Sequence, residues 1–274
     1  MSESSIVVPL DGSKGAEKAI RLAEIYGAPI RLIHVVDGEV VESEEDFRRA
    51  RDVFTVYAND LAKREGLDGT PCEVRRGSPS AQILDFASGA KCMAIGSHGR
   101  GGFRATVIGS VADKVVRGTS VPVFVVPIAG RGDLGPDPIV VGLDGSKRAE
   151  AGLEAARELA AATGSSLYLV RAHYFPAPST VEFGYYAPDL AESVRIGAEE
   201  YLQEIAREGE SAVTVLGPAD SAILESARQL DADLIVLTSH GRGLAGRLAL
   251  GSTTDRVMHA AERVLLVVPS PPDS

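Results

Sequence analysis

At 274 residues, 45% hydrophobic and 24% charged, the chain is long for one ordinary domain of roughly 100 to 150 residues, and its balance argues against both disorder and a membrane protein. A formal charge of −10 argues against a sequence-independent hold on nucleic acid, which depends on clustered Lys and Arg displacing counterions from phosphates. Two cysteines without Cys or His at ligand spacing support neither a disulfide scaffold nor a zinc site; with no bilayer-length apolar run and no leader pattern in the first five residues, the chain reads as cytoplasmic, without a membrane partner.

Residues 6–10 are a short apolar β-prone run stopped by Asp11-Gly12-Ser13, the composition of a strand entering a turn. Ser13 caps a predicted helix with Ala16, Ala19, Ile20 and Ala23 on one face, ended by Gly27-Ala28-Pro29. A second strand over 30–36 leads through an acidic segment into a long helix whose apolar residues are Phe47, Val53, Val56, Tyr57 and Leu61, closed by Gly66. A third strand starts at Cys72 and ends at Gly77, a helix over 80–87 carries Ile83, Leu84 and Ala87, and a buried strand over 92–95 runs straight into Gly96. Val111, Val115 and Val116 mark another helix, and 121–126 is a fifth strand. Alternating strands and helices with continuously apolar strands predict a parallel sheet covered on both faces, of order 3-2-1-4-5.

Residues 129–138 are Gly- and Pro-rich without apolar period, as a linker is, and the programme then restarts. Ile139 to Ser146 repeats Ile6 to Ser13, Leu167 opens a copy of strand two, 234–237 copies strand four, and 264–268 closes the second copy. The expected division is therefore 1–128, a linker 129–138, and 139–274. The offset between copies grows from 133 residues at Asp11 and Asp144 to 142 at Gly99 and Gly241, and the nine extra residues are most simply placed in a loop. The loop 173–189, rich in Tyr and Pro, is the conspicuous one; it either packs on its own domain or covers a ligand or partner.

The strongest motif is the stretch from Gly96 to Ser110, with Gly96 and Gly99 three apart and Gly109-Ser110 after a nine-residue spacer. It recurs from Thr238 to Ser252 with Gly241, Arg242, Gly251 and Ser252 in place. In an open parallel sheet, ligands sit at the carboxyl ends of the strands where the order reverses, and both this motif and Asp11 fall there. Glycines let backbone N–H groups approach an anion, and Gly109-Ser110 opens a helix whose free N–H groups favour negative charge, which makes a phosphate cradle. Asp11 can accept from a ribose hydroxyl or help hold a phosphate-bound Mg²⁺. Taken singly, each glycine is also explained by a tight turn and Asp11 by a helix cap. The GxGxxG string at Gly241–Gly246 follows the fourth strand of its half and not the first, so a dinucleotide fingerprint is discounted. His98 and His240 occupy matching places, where phosphate contact competes with a turn-stabilising role.

These residues resemble the universal stress protein family in a tandem, two-domain form. Its ATP-binding members carry G-x2-G-x9-G-[ST], met by Gly96, Gly99, Gly109 and Ser110, with an Asp after strand one, met by Asp11. The resemblance implies an open five-stranded parallel sheet in each half. It also implies that Asp11 contacts ribose or metal, Val35 meets adenine through its backbone, Gly99 and Arg100 lie by the phosphates, and Gly109 and Ser110 hold them. Asp144, Gly241, Arg242, Gly251 and Ser252 are the second set. Family dimers pair across their fifth strands, so the halves look like a covalently linked dimer, with a further homodimer left open. The implied function is that of a stress-response regulator binding ATP, ADP or AMP, not a metabolic enzyme, with slow incidental hydrolysis at most. The alternatives are an interaction scaffold acting through loop 173–189 and a weak ATP hydrolase. Thr238 replaces the first glycine in the second copy, and its side chain is expected to project where adenine or ribose should lie, so binding is expected mainly in the first half.

Overall fold

The computed structural model describes residues 5–24, 28–67, 69–97, 108–128, 138–174, 187–240 and 250–270. In chain order the first half has β1 (Ile6–Pro9), α1 (Lys14–Glu24), β2 (Ile30–Asp37), α2 (Glu44–Arg64), β3 (Cys72–Gly77), α3 (Pro79–Phe86), β4 (Cys92–Gly96), α4 (Ser110–Gly118) and β5 (Val123–Val126). The second half repeats them as β6 (Ile139–Gly142), α5 (Lys147–Thr163), β7 (Leu167–His173), α6 (Ala187–Ile205), β8 (Ser211–Leu216), α7 (Ala219–Gln229), β9 (Leu234–Thr238), α8 (Ser252–Ala260) and β10 (Val264–Val268).

The ten strands form one sheet of order β3-β2-β1-β4-β5-β10-β9-β6-β7-β8. Each half thus has the order 3-2-1-4-5, and pairing within each half is parallel. The halves meet in an antiparallel pair, β5 with β10, in which Val125 faces Leu265, Phe124 faces Leu266 and Val123 faces Val267. The strand registers make Phe124 and Leu266 equivalent positions, so the pair is self-complementary about a point between them, the geometry of an isologous contact.

Central strands are buried on both sides, which is why they read as unbroken apolar runs. Two apolar layers result. One holds Ile20, Phe54, Leu153 and Leu202 of α1, α2, α5 and α6, and the other holds Ile83, Val115, Ile223 and Val257 of α3, α4, α7 and α8.

Three details depart from the sequence pattern. On α2 the buried stripe is Phe54, Ala58, Leu61 and Ala62, whereas Val53 and Val56 are 72% and 62% exposed. An i, i+4, i+7, i+8 row fixes one face, and the two valines lie off it. Strand β7 continues through His173 and α6 begins at Ala187, so the inserted loop is shorter than 173–189. The nine extra residues do not sit in one loop: the offset is already 137 at Ile30 and Leu167 and 140 at Cys72 and Ala212, so the additions are spread over three connections.

Candidate functional site

The carboxyl ends of β1 and β4 meet beside the N-terminus of α1. Leu10 N–H donates to the Ile33 carbonyl at 2.8 Å, carrying the β1 ladder one residue past the strand and into Asp11-Gly12-Ser13. Asp11 Oδ1 accepts the Ser13 N–H at 2.9 Å, Gly12 takes the left-handed φ of 81° that this turn requires, and Ser13 Oγ accepts from Ala16 N–H at 3.3 Å. The second half repeats the turn: Asp144 Oδ1 accepts the Ser146 N–H at 2.9 Å and its Oγ–H at 2.6 Å, and Ser146 Oγ accepts from Ala149 N–H. In both halves the serine caps the helix and the aspartate builds the turn before it. The aspartate is therefore fixed at the sheet end by its own backbone, a different role from the helix cap that residue type alone suggests.

Beyond the fourth strand of each half, Gly109 N–H donates to the Ser97 carbonyl at 2.7 Å, and Gly251 N–H to that of Ser239 at 2.8 Å. Both glycines are extended, at φ −67° and ψ 147° and at φ −58° and ψ 141°, and each is an N-cap that offers no side-chain acceptor. The first-turn N–H groups of α4 and α8 consequently have no capping side chain, which leaves a helix end suited to an anion. The structure thus brings Asp11, Gly96, Gly109 and Ser110 to one end of the sheet and Asp144, Gly251 and Ser252 to the matching place. Val35 lies on β2 two residues before its end. His98, Gly99, Arg100, Gly241 and Arg242 lie outside the described residues.

Gly96 has a packing reason of its own. A Cβ there would stand 2.7 Å from the Gly15 carbonyl carbon and 2.9 Å from the Ala16 nitrogen, so the backbone of α1 presses directly on it. In the second half Thr238 is 6% exposed. Its hydroxyl donates to the His240 carbonyl at 3.0 Å, and its methyl lies 3.3 Å from where a Cβ on Gly152 of α5 would be. Gly152 corresponds to Ala19 of α1, so a small residue on the helix matches the larger one on the strand. The methyl of Thr238 thus lies against α5, while the residue also borders the cavity at this end of the sheet.

That cavity, of about 570 Å³, is bordered by Asp144, Thr238, His240 and Gly251–Ser252 at the phosphate-cradle end and by Ala172, His173 and Tyr174 from the end of β7. Val194 and Ala198 of α6 supply apolar wall. Sequence patterning assigns His173 and Tyr174 to a loop and leaves Val194 and Ala198 without a role; the only signal for them is a strand that keeps its register to His173.

His240 is held by a serine pair. Ser270 Oγ accepts the His240 N–H at 2.9 Å and donates to the His240 carbonyl at 2.7 Å, while Ser239 Oγ accepts the Ser270 N–H at 3.0 Å. Ser239 Oγ donates to Ser270 Oγ at 3.4 Å and also lies 3.1 Å from His240 Nδ1. Among the described residues Nε2 is buried without a hydrogen-bond partner, an unmet polar atom of the kind a ligand satisfies. Burial, aided by the Arg148 charge, holds the ring's pKa below its ordinary value. Burial pushes both Cys72 and Cys92 up to about 12, so neither thiol is a nucleophile near neutral pH. Among the described residues no three His, Cys, Asp or Glu side chains gather as a metal site, and no helix is long and apolar enough to cross a membrane. A Mg²⁺ beside Asp11 would therefore depend mostly on phosphate and water ligands.

The geometry agrees with what the chain is similar to. The model of the universal stress protein family matches it twice, over residues 4–127 and 136–269. A universal stress protein of Mycolicibacterium smegmatis is 28% identical over 295 residues, covering 97% of both chains. One from Mycobacterium tuberculosis strain H37Rv is 27% identical with the same coverage. The crystal structure of a universal stress protein from Archaeoglobus fulgidus superposes with a TM-score of 0.69 at 21% identity, covering 98% of this chain and 99% of that one, which shows a shared fold.

Proposed function

The chain belongs to the universal stress protein family, present as two tandem copies, and from that premise we propose that it is a regulatory protein that binds an adenine nucleotide at the carboxyl ends of its strands. The observation that carries the reading is the matched pair of cradles. In each half a carboxylate fixed by its own turn shares the sheet end with an uncapped helix N-terminus set by a glycine-to-serine backbone bond. Ser110 and the first N–H groups of α4, or Ser252 and those of α8, would hold the phosphates, and Asp11 or Asp144 the ribose. The residues fit such a guest: the cradle glycines carry no Cβ, and the buried Nε2 of His240 lacks a hydrogen-bond partner among the described residues. When bound, the nucleotide supplies the signal, and the protein's share is to bind and orient it.

The expected preference for the first half rested on Thr238 obstructing the second. Its methyl lies against α5 and the residue borders an open cavity, so both halves enter the reading. Titration of the purified chain with ATP and Mg²⁺ by calorimetry tests it, with saturable binding below millimolar expected. Absence of saturable binding at millimolar ATP would end it.

A further inference from the structure

The sheet ends in two outer strands, β3 and β8, because β5 and β10 occupy each other at its centre. Strand registers make β3 and β8 equivalent, with Cys72 matching Ala212, so Glu73 corresponds to Val213, Val74 to Thr214, Arg75 to Val215 and Arg76 to Leu216. Every charged position of β3 is thus apolar on β8. Outer strands are commonly blunted by charged side chains, because their free N–H and C=O groups otherwise recruit another strand. On β3, Arg75 binds Glu73 and Asp85, each at 2.6 Å, and Arg76 donates to the Glu42 carbonyl. By contrast, β8 runs for six residues without charge or proline, and its Leu216 is 74% exposed.

The backbone of β8 presents its groups in alternation. Gly217 N–H donates to the His173 carbonyl at 3.0 Å, which continues the ladder with β7 and fixes the inward set as Ser211, Val213 and Val215. Ala212, Thr214 and Leu216 therefore point their N–H and C=O groups away from β7, and among the described residues no bond beyond that ladder reaches them. The Thr214 hydroxyl donates to Glu199 Oε1 of α6 at 3.4 Å, which sets the side chains of Ala212, Thr214 and Leu216 on the α6 face. Val213 and Val215 pack half-buried on the opposite face. Glu199 is itself bonded to Arg195, so the carboxylate nearest the edge is already paired.

We propose that β8 is a self-association surface, on which a second copy of this chain adds its own β8 antiparallel about a two-fold axis through Thr214. Complementarity selects this occupant. An axis there sets Thr214 against Thr214, Ala212 against Leu216 and Val213 against Val215, so the outward groups exchange N–H···O=C bonds and no like charges meet. Shifting the axis by one residue leaves either Ala212 or Leu216 without a facing partner. The central β5–β10 pair is a contact of the same kind, antiparallel, apolar and self-complementary. A pair of six-residue strands is small beside a standard interface of about 800 Å² per partner, so a dimer that dissociates at micromolar and not nanomolar concentration is expected.

Sedimentation velocity of the intact chain over a range of concentrations tests this, beside two substitutions at the axis, with near-UV circular dichroism reporting the fold. Thr214→Pro removes an outward N–H and keeps the β7 ladder, and proline is accepted on outer strands where its nitrogen faces solvent. Thr214→Lys instead sets two ammonium groups against each other across the axis. Each is expected to raise the dimer dissociation constant by at least about tenfold. Mixing Thr214→Lys with Thr214→Glu chains should restore a dimer that neither forms alone, a rescue that general damage to the fold would not give. If the proline variant does not fold, the Lys and Glu pair decides. An intact chain that stays monomeric up to about millimolar concentration overturns the second copy as occupant and leaves the edge to a foreign strand or to none. A dimer that keeps its affinity in both Thr214→Pro and Thr214→Lys overturns the proposal as well, by placing the contact elsewhere.

Discussion

Replacing Gly96 with alanine isolates the contact that sets β4 against α1. The added Cβ would sit 2.7 Å from the Gly15 carbonyl carbon, 2.9 Å from the Ala16 nitrogen and 3.1 Å from the Gly15 oxygen, all backbone atoms at the start of a helix. Ordinary carbon contacts lie near 3.5 to 4.0 Å, so the first turn of α1 must retreat by several tenths of an ångström. Overpacking of this kind costs about 1–3 kcal/mol. For a chain of this size that corresponds to a fall of very roughly 2–4 °C in unfolding temperature per kcal/mol. The comparison is Thr238→Ala at the equivalent place, which removes one methyl and one hydroxyl donated to a carbonyl and should cost about 1 kcal/mol without moving α5. Urea denaturation of both variants, with slopes checked for constancy, measures the two values. A Gly96→Ala protein within 0.5 kcal/mol of its parent by that measurement, a threshold at the usual size of a neutral substitution, would show that α1 does not press on Gly96.

Arg157→Ala should be costly: Arg157 binds Glu210 through two bonds of 2.6 and 2.7 Å and the Ile205 carbonyl at 2.8 Å, with the two side chains only 12% and 8% exposed, and breaking such a pair on one side costs about 3–5 kcal/mol. Burial pushes the Glu210 carboxyl up, but hydrogen bonds from Arg157 and the Arg207 N–H more than offset it, so its pKa is lowered; the stability it gives is present above the usual carboxylate range, is lost as pH falls through the folded value, and should vanish from the acid limb of the Arg157→Ala curve. His240, lowered in the folded state chiefly by burial, works the same way nearer neutrality: stability should decline as pH falls below about 6.5, and His240→Gln should flatten that part of the profile between pH 8 and 5. Arg117 donates to Asp113 of its own helix and to Asp255 of the other half, and with side chains about a third exposed its replacement by Ala should cost only about 1 kcal/mol in urea denaturation.

The sheet was readable because its central strands are short apolar runs and several helices follow a Ser or Gly turn, and the repetition of Asp-Gly-Ser with Ser-His-Gly-Arg-Gly marked the duplication. Residue type also led to Asp11, Gly109 and Ser110. It could not reveal that Gly96 is required by helix packing or that Thr238 is accommodated by Gly152, because both facts depend on how closely a helix approaches a strand distant in sequence. The face of α2 was misjudged for a related reason: Val53 and Val56 are as apolar as the buried Ala58, and only the three-dimensional row separates them.

The central claim is that these two sheet ends are nucleotide sites, and calorimetric titration of the intact chain with ATP and Mg²⁺, beside Gly109→Val and Gly251→Val, tests it most directly. The account predicts saturable binding below millimolar, weakened by each valine. Heat indistinguishable from dilution up to millimolar ATP, or binding untouched by both substitutions, would contradict it.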